Sequence, residues 1–148
     1  MNLTETFDQI RTVFLDTAPI IYFIEAHDKF GPLVMQIVKL MNGDRVQAFT
    51  SVLTLSEVLS KPVELANDEL AEKFKIYLKN GNNLVLLPIT ETIGEAAGVL
   101  RGKHPHLKTV DAVQLAAAID IGADVFLTND KKLSGITEIK VIVLSDYL

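Results

Sequence analysis

The chain has 148 residues, 49% hydrophobic and 22% charged, a composition too apolar for intrinsic disorder and typical of one globular domain over residues 1–148. Because the sequence contains no cysteine, disulfide scaffolds, thiolate metal sites and cysteine nucleophiles are excluded. The net charge of −5 argues against a protein that holds nucleic acid by a broad positive field.

The first 12 residues form an extension ahead of the first predicted strand, and both a short helix and a loose arm are compatible with their modest helical propensity. They carry acids instead of the basic leader of an exported protein. No apolar run in the chain approaches the roughly 20 residues needed to span a bilayer. We therefore expect a cytoplasmic protein that does not enter a membrane.

Five short apolar runs predict β-strands, at residues 13–15, 47–50, 83–87, 125–127 and 140–144. Stretches with helical periodicity lie between them, at residues 19–25, 30–41, 52–60, 68–78, 91–100 and 110–121. Continuous apolar strands that alternate with helices indicate a parallel sheet covered on both faces. The expected fold class is therefore α/β, with a doubly wound sheet.

Proline and glycine mark several helix boundaries. Pro19 fits the first turn of a helix, and Pro62 is expected to end its helix at or before Lys61. Three glycines follow predicted helices at places where a left-handed residue is common: Gly43, Gly81 and Gly122.

Four acids stand beside these elements in apolar surroundings. In an open parallel sheet, ligands bind beyond the carboxyl ends of the strands. Asp16 ends the first strand and Asp130 follows the fourth, so both are expected at the same edge of the sheet. Glu57 lies in the helix after the second strand, and Asp111 opens the helix that leads into the fourth strand.

Each acid also has an ordinary structural explanation. Asp16 and Asp130 can cap the helical turns that follow them. Glu57 can complete a capping box with Thr54, and Asp111 can interact favourably with the helix dipole. Taken singly, none of the four requires a function.

Convergence of the four acids would require a cation. Two carboxylates about 5 Å apart repel by roughly 3 kcal/mol at an effective dielectric constant near 20. Ligation by oxygen alone, with open positions, suits Mg²⁺ or Mn²⁺ better than Zn²⁺. Such a site can hydrolyse phosphodiesters with the help of the metal.

A basic segment at residues 101–108 runs towards Asp111 and contains no acid. Next to a carboxylate site it would contact the phosphates of a nucleic acid, although a solvated loop tip would have the same composition. Its candidate substrate-binding residues are Arg101, Lys103, His104, His106 and Lys108. The two histidines are also a candidate zinc pair, but no cysteine and no third histidine stands near them.

Four segments resemble, in their order and spacing, the motifs of PIN-domain nucleases. They are residues 15–22, 50–59, 110–118 and 126–130, and the similarity extends over about residues 13–143. The resemblance implies a three-layer α/β/α sandwich with a parallel five-stranded sheet in the order 3-2-1-4-5. It also implies cleavage of single-stranded or structured RNA that depends on Mg²⁺ or Mn²⁺. Small bacterial and archaeal members are often VapC-type toxins, which a partner antitoxin holds inactive.

The resemblance assigns metal binding and catalysis to four acids: Asp16, Glu57, Asp111 and Asp130. It makes Thr128 a hydroxyl that orients the site or the attacking water, with Thr17 and Asn129 as supporting groups. Many members carry Ser or Asn where Ala18 and Pro19 stand, so a polar substrate contact is missing here.

The competing function is a non-catalytic PIN-like domain that recognises RNA or a protein without cutting. The intact acids argue against it, because degenerate members usually lose one or more of them. A toxin and an RNA-processing nuclease both remain open. The resemblance also implies a homodimer. The apolar helix at residues 20–24 and the helices after it are candidate surfaces for self-association or for an antitoxin.

Overall fold

A parallel five-stranded sheet in the order β3-β2-β1-β4-β5 lies at the centre of the computed structural model, which describes residues 1–148. The strands are β1 Thr12–Leu15, β2 Gln47–Ser51, β3 Leu84–Leu87, β4 Val125–Thr128 and β5 Lys140–Val143. The chain starts in the middle of the sheet, moves outwards to β3, and then crosses back to β4 on the other side of β1. The α/β class and the strand order expected from the sequence are confirmed.

Helices cover both faces of the sheet. They are α1 Leu3–Thr6, α2 Thr17–Ile24, α3 Gly31–Asn42, α4 Val52–Glu64, α5 Asp68–Asn80, α6 Glu91–Lys103 and α7 Thr109–Ile121. Short 3-10 helices occupy Phe7–Gln9, Lys131–Gly135 and Leu144–Tyr147. None of these helices has the length and apolarity required to cross a membrane.

The two faces of the sheet contribute to separate apolar clusters. Side chains alternate along a strand, so Val13 and Leu15 of β1 pack with helices α1 to α5, whereas Phe14 packs with α6 and α7. The rings of Phe14 and Phe126 stack with their centroids 5.5 Å apart, which joins β1 to β4 within the second cluster. The carboxyl ends of these two strands are therefore held side by side.

The N-terminal extension forms a helix and belongs to the core. Asn2 and Glu5 make a reciprocal capping box at the start of α1. Leu3, Phe7 and Ile10 are buried in the first cluster, against α3. The loose arm that the sequence also allowed is not observed.

The boundary predicted at Pro62 is wrong, because α4 continues through this proline to Glu64. The pyrrolidine ring is buried and adds apolar contact where a solvated proline would add none. Only the final turn of the helix follows Pro62, so the missing backbone donor weakens a short stretch.

Of the three glycines expected to be left-handed, only Gly122 is, with φ of 76°. Gly43 and Gly81 have φ of −88° and −60°. The positive φ values fall on later residues, Asp44 at 58° and Asn83 at 54°. Asn and Asp adopt this conformation more readily than most residues. Here the two are also joined to each other, since the Asn83 amide donates to the Asp44 carboxylate at 2.7 Å.

We expect Phe7→Ala to lower the free energy of unfolding by about 3–5 kcal/mol, because the ring is fully buried and its removal leaves a cavity. Urea denaturation followed by circular dichroism measures the change. Asp8→Ala, at the exposed neighbouring position, is the control and should stay within about 0.5 kcal/mol of wild type. Equal stability of Phe7→Ala and wild type would show that the extension is not part of the core.

Candidate active site

The carboxyl ends of β1 and β4 carry two of the acids, and their capping roles are confirmed. Asp16 follows β1, where its Oδ1 accepts the Thr17 backbone N–H at 2.9 Å as the N-cap of α2. Asp130 follows β4, where its Oδ1 accepts the Lys132 backbone N–H at 3.0 Å. Capping fixes the rotamer of both side chains, so it also determines where the remaining carboxylate oxygens lie.

Glu57 has a different role from the one that a capping box would give it. Ser51 is the N-cap of α4, so Thr54 lies inside the helix and the capping-box alternative is wrong. Instead, the Thr17 hydroxyl donates to Glu57 Oε1 at 2.6 Å, across from α2 to α4. This bond ties Glu57 to the residue next to Asp16.

Asp16 is the most strongly perturbed carboxyl group of the site. Burial raises its pKa to about 6, against hydrogen bonds from Thr128 and Thr17 that lower it. The negative charges of Asp111 and Glu57 raise it further. Both acids therefore lie within electrostatic reach of Asp16.

Asp111 completes the group from the first turn of α7. Its pKa is raised by burial first and then by the charges of Asp130 and Glu57. Lys108 and Lys132 lower it, so two exposed cations stand near this carboxylate. Lys108 belongs to the basic segment predicted from the sequence, whereas Lys132 lies outside that segment and was not predicted.

Thr128, Asn129 and Thr17 make hydrogen bonds to the acids or to the elements that carry them. The Thr128 hydroxyl donates to Asp16 Oδ2 at 2.8 Å and accepts the Asp130 backbone N–H at 3.1 Å. The Asn129 side chain donates to the Tyr22 hydroxyl at 3.0 Å, which fixes the turn after β4 against α2. Thr128 thus orients two acids at once.

A layer of buried polar side chains lies behind the acids, and of its members only Thr128 was predicted to serve the site. The fully buried polar residues of the chain are Thr50, Ser51, Thr54, Gln114 and Thr128. The Thr50 hydroxyl donates to the Leu15 carbonyl at 2.8 Å, next to Asp16. Polar residues inside otherwise apolar stretches, such as Gln114 in α7, were the available signal.

The rest of the basic segment lies on exposed positions at the end of α6 and in the loop that follows. His104 is engaged elsewhere, since its Nε2 lies 3.0 Å from both carboxylate oxygens of Glu138 and lowers the pKa of that group. The His106 ring stands edge-on to His104 with centroids 6.2 Å apart. A zinc pair here finds no third ligand close enough to complete it.

The donor chemistry of the four acids fits a hard divalent cation, since every ligand atom offered is an oxygen. Besides burial, Asp111 and Glu57 raise the pKa of Asp16, and Asp130 and Glu57 raise that of Asp111, an effect that a bound cation would offset. As the side chains stand, no three of them are close enough to chelate one ion directly. Mg²⁺ usually keeps several waters and takes only one or two carboxylates directly, so this spacing is compatible with it.

The chain matches one protein family and is similar in fold to several solved structures. The family model described as the PIN domain matches residues 13–139. No curated protein matches the sequence. The structure of VapBC2 from Rickettsia felis, bound to a DNA fragment from its promoter, contains a similar chain with TM-score 0.70 and 18% identity, covering 89% of this chain and 98% of that one.

Two further solved structures share the fold. One is VapC20 of Mycobacterium tuberculosis, described as a toxin that cleaves the sarcin-ricin loop, with TM-score 0.64 and 17% identity, covering 86% of this chain and 98% of that one. The other is a DNA-bound VapBC of Salmonella typhimurium, with TM-score 0.65 and 18% identity, covering 91% and 99%.

We expect Asp16→Asn to stabilise the protein in EDTA at pH 8, by up to about 3 kcal/mol at 1.36 kcal/mol per pKa unit. The folded pKa of Asp16, about 6, lies above the ordinary value of 3.8, so the folded state binds the proton more tightly. Wild type therefore loses stability as the pH rises from 3.8 to about 6 and does not regain it above. At pH 4 the gain from the substitution disappears.

Urea denaturation at the two pH values measures this difference. Asp124→Asn is the opposite control, because backbone donation from Arg11 is the largest of several effects that lower the pKa of Asp124. Its substitution should cost stability at pH 8, whereas the wild-type contribution of Asp124 is lost as the pH falls below 3.8. A destabilised Asp16→Asn at pH 8 would contradict the electrostatic account.

Proposed function

The chain belongs to the PIN domain family, and on that basis we propose that it is a metal-dependent endoribonuclease that hydrolyses RNA phosphodiesters. The observation that carries the proposal is the clustering of the acids: besides burial, which is the larger cause, Asp111 and Glu57 raise the pKa of Asp16, and Asp130 and Glu57 raise that of Asp111. A set of like charges that costs folding free energy is retained most readily where it binds a cation.

The residues that would hold Mg²⁺ or Mn²⁺ are Asp16, Glu57, Asp111 and Asp130. When bound, the ion would lower the pKa of a water and stabilise the charge that develops on the phosphate oxygens. The chain's own contribution is orientation. Thr128 donates to Asp16, and Thr17 donates to Glu57, so both carboxylates present their remaining lone pairs in fixed directions.

The substrate phosphates would contact Lys108 and Lys132, the two exposed cations near Asp111. They come from different elements, since Lys108 is the N-cap residue of α7 and Lys132 lies in the 3-10 helix after β4. Local cations of this kind reconcile a nucleic-acid substrate with a net charge of −5. Arg101, Lys103 and His106 would extend the contact to further phosphates of the RNA strand.

We place the protein in the toxin class, as the partner of an antitoxin, because the solved structures that share its fold include toxin-antitoxin complexes. Helix α2 offers an apolar surface for that partner or for a second copy of the chain. Ile20 of the predicted surface is buried in the core, whereas Ile21 to Ile24 remain partly exposed. Phe23 and Met35 line an open depression of about 440 Å³ next to it.

We expect Mn²⁺ to raise the melting temperature, because it binds the folded acids and not the unfolded chain. At a concentration of 100 times the dissociation constant, the gain is about 2.7 kcal/mol. Asp111→Asn should abolish most of it. Asp120→Asn, at an exposed position of the same helix, is the matched control and should keep the full shift.

Differential scanning fluorimetry with Mn²⁺ and with EDTA measures the two shifts. A shift in Asp111→Asn equal to that of wild type would remove Asp111 from the metal site. The absence of any shift in wild type would instead favour the non-catalytic binding domain.

Cleavage of a mixed RNA pool tests the activity itself. We expect products with Mn²⁺, none with EDTA, and none from Asp16→Asn, which excludes a contaminating nuclease. Lys132→Ala should lower kcat/KM about ten-fold, the equivalent of about 1.4 kcal/mol. The control is Lys131→Ala, which should cleave RNA as wild type does. The exposed Lys131 ammonium group lies 3.9 Å from the Asp146 carboxylate. Equal products from wild type and Asp16→Asn would refute the proposal.

A further inference from the structure

Gln114 is a fully buried amide on α7, one turn after Asp111. Both polar atoms of its side-chain amide make hydrogen bonds. Its Nε2 donates to the Thr54 hydroxyl at 2.8 Å, and its Oε1 accepts a hydrogen bond from the Ser51 hydroxyl. Because Ser51 and Thr54 belong to the start of α4, this one side chain connects α7 to α4.

The connection continues from Thr54 to the acids. The hydroxyl oxygens of Thr54 and Thr17 lie 3.3 Å apart, and the Thr17 hydroxyl donates to Glu57. The Thr50 hydroxyl lies 2.8 Å from that of Thr54, on the side of β2. Gln114 is therefore linked through two hydroxyl groups to Glu57, while its own helix carries Asp111.

A buried amide is unfavourable at this position unless its hydrogen bonds are satisfied. The neighbouring residues of α7 are apolar, so leucine would fill the space more simply. Full pairing removes that cost and adds direction, because both hydrogen bonds must be satisfied in one geometry. A purely apolar contact would let the two helices slide.

We infer that Gln114 is a positioning residue for the metal site, which sets the separation between Asp111 on α7 and Glu57 on α4. These two carboxylates repel each other, and Glu57 contributes to the raised pKa of Asp111. Held by the amide, they stay at one separation before the cation arrives. The inference rests on the proposed function, because it concerns binding of the metal by those acids.

Metal affinity separates this role from simple stabilisation. Loss of a group that orients metal ligands typically costs 10–100-fold in affinity. We expect Gln114→Leu to raise the Mn²⁺ concentration that gives half of the melting-temperature shift at least about ten-fold. Leu115→Val, at the adjacent fully buried position, lowers stability through packing alone and should keep that midpoint within about two-fold of wild type.

Thr54 supplies a second, conservative pair of variants. Thr54→Ser keeps the hydroxyl and should bind Mn²⁺ almost as wild type does, whereas the near-isosteric Thr54→Val should repeat the effect of Gln114→Leu. Hydrogen exchange in EDTA gives a metal-free measure. The Leu53 backbone amide donates to Ser51 Oγ at 3.1 Å. Its hydrogen-exchange rate should rise in Gln114→Leu and stay at the wild-type value in Leu115→Val.

Three outcomes would overturn the inference. The first is an unchanged Mn²⁺ midpoint in Gln114→Leu, and the second is an equal rise in Leu115→Val, which would make the effect one of stability. The third is an unfolded Gln114→Leu together with equal midpoints in the two Thr54 variants. Failure of the proposed function looks different, because wild type itself would then show no Mn²⁺ shift.

Discussion

Holding carboxylates together at one edge of a sheet costs folding free energy, because burial and mutual repulsion both favour their neutral forms. Packing and hydrogen bonding elsewhere in the structure offset this cost. Two apolar clusters pack against opposite faces of the sheet and fix β1 beside β4. Behind the acids, Thr50, Thr54 and Gln114 pair with one another, so the polar edge gains rigidity without leaving unmet hydrogen bonds.

The structural and functional explanations of the acids are not alternatives here. Asp16 and Asp130 cap the helical turns that follow them, and the same bonds fix the orientation in which they approach the other acids. A cap needs one carboxylate oxygen, which leaves the second for another partner. The choice between capping and chemistry, which the sequence presents for each residue in turn, therefore does not arise once the strands are in place.

The sequence predicted the strands and the edge at which the acids meet, because apolar periodicity and the parallel topology determine these features. The order of the strands was predicted by the resemblance to PIN-domain nucleases. Prediction from the sequence failed where the outcome depends on distant partners. Thr54 resembled the start of a capping box, but α4 begins at Val52, since Ser51 can cap it and still reach Gln114. Gln114 received no predicted role, because in the sequence it is one polar residue in an apolar stretch of helix. Its partners lie about sixty residues earlier in the chain, and no local pattern reports them.

The position of β1 at the middle of the sheet also governs when the site comes into existence during synthesis. Thr128 and Asp16, which share a hydrogen bond, are separated by 112 positions in the chain. Closing so long a loop is slow and must wait until β4 has left the ribosome. A nascent chain therefore carries Asp16 without Asp111 or Asp130 beside it until those residues have been made. The edge of the sheet that carries these acids therefore cannot perform any chemistry that needs them together until β4 and the turn after it have been made.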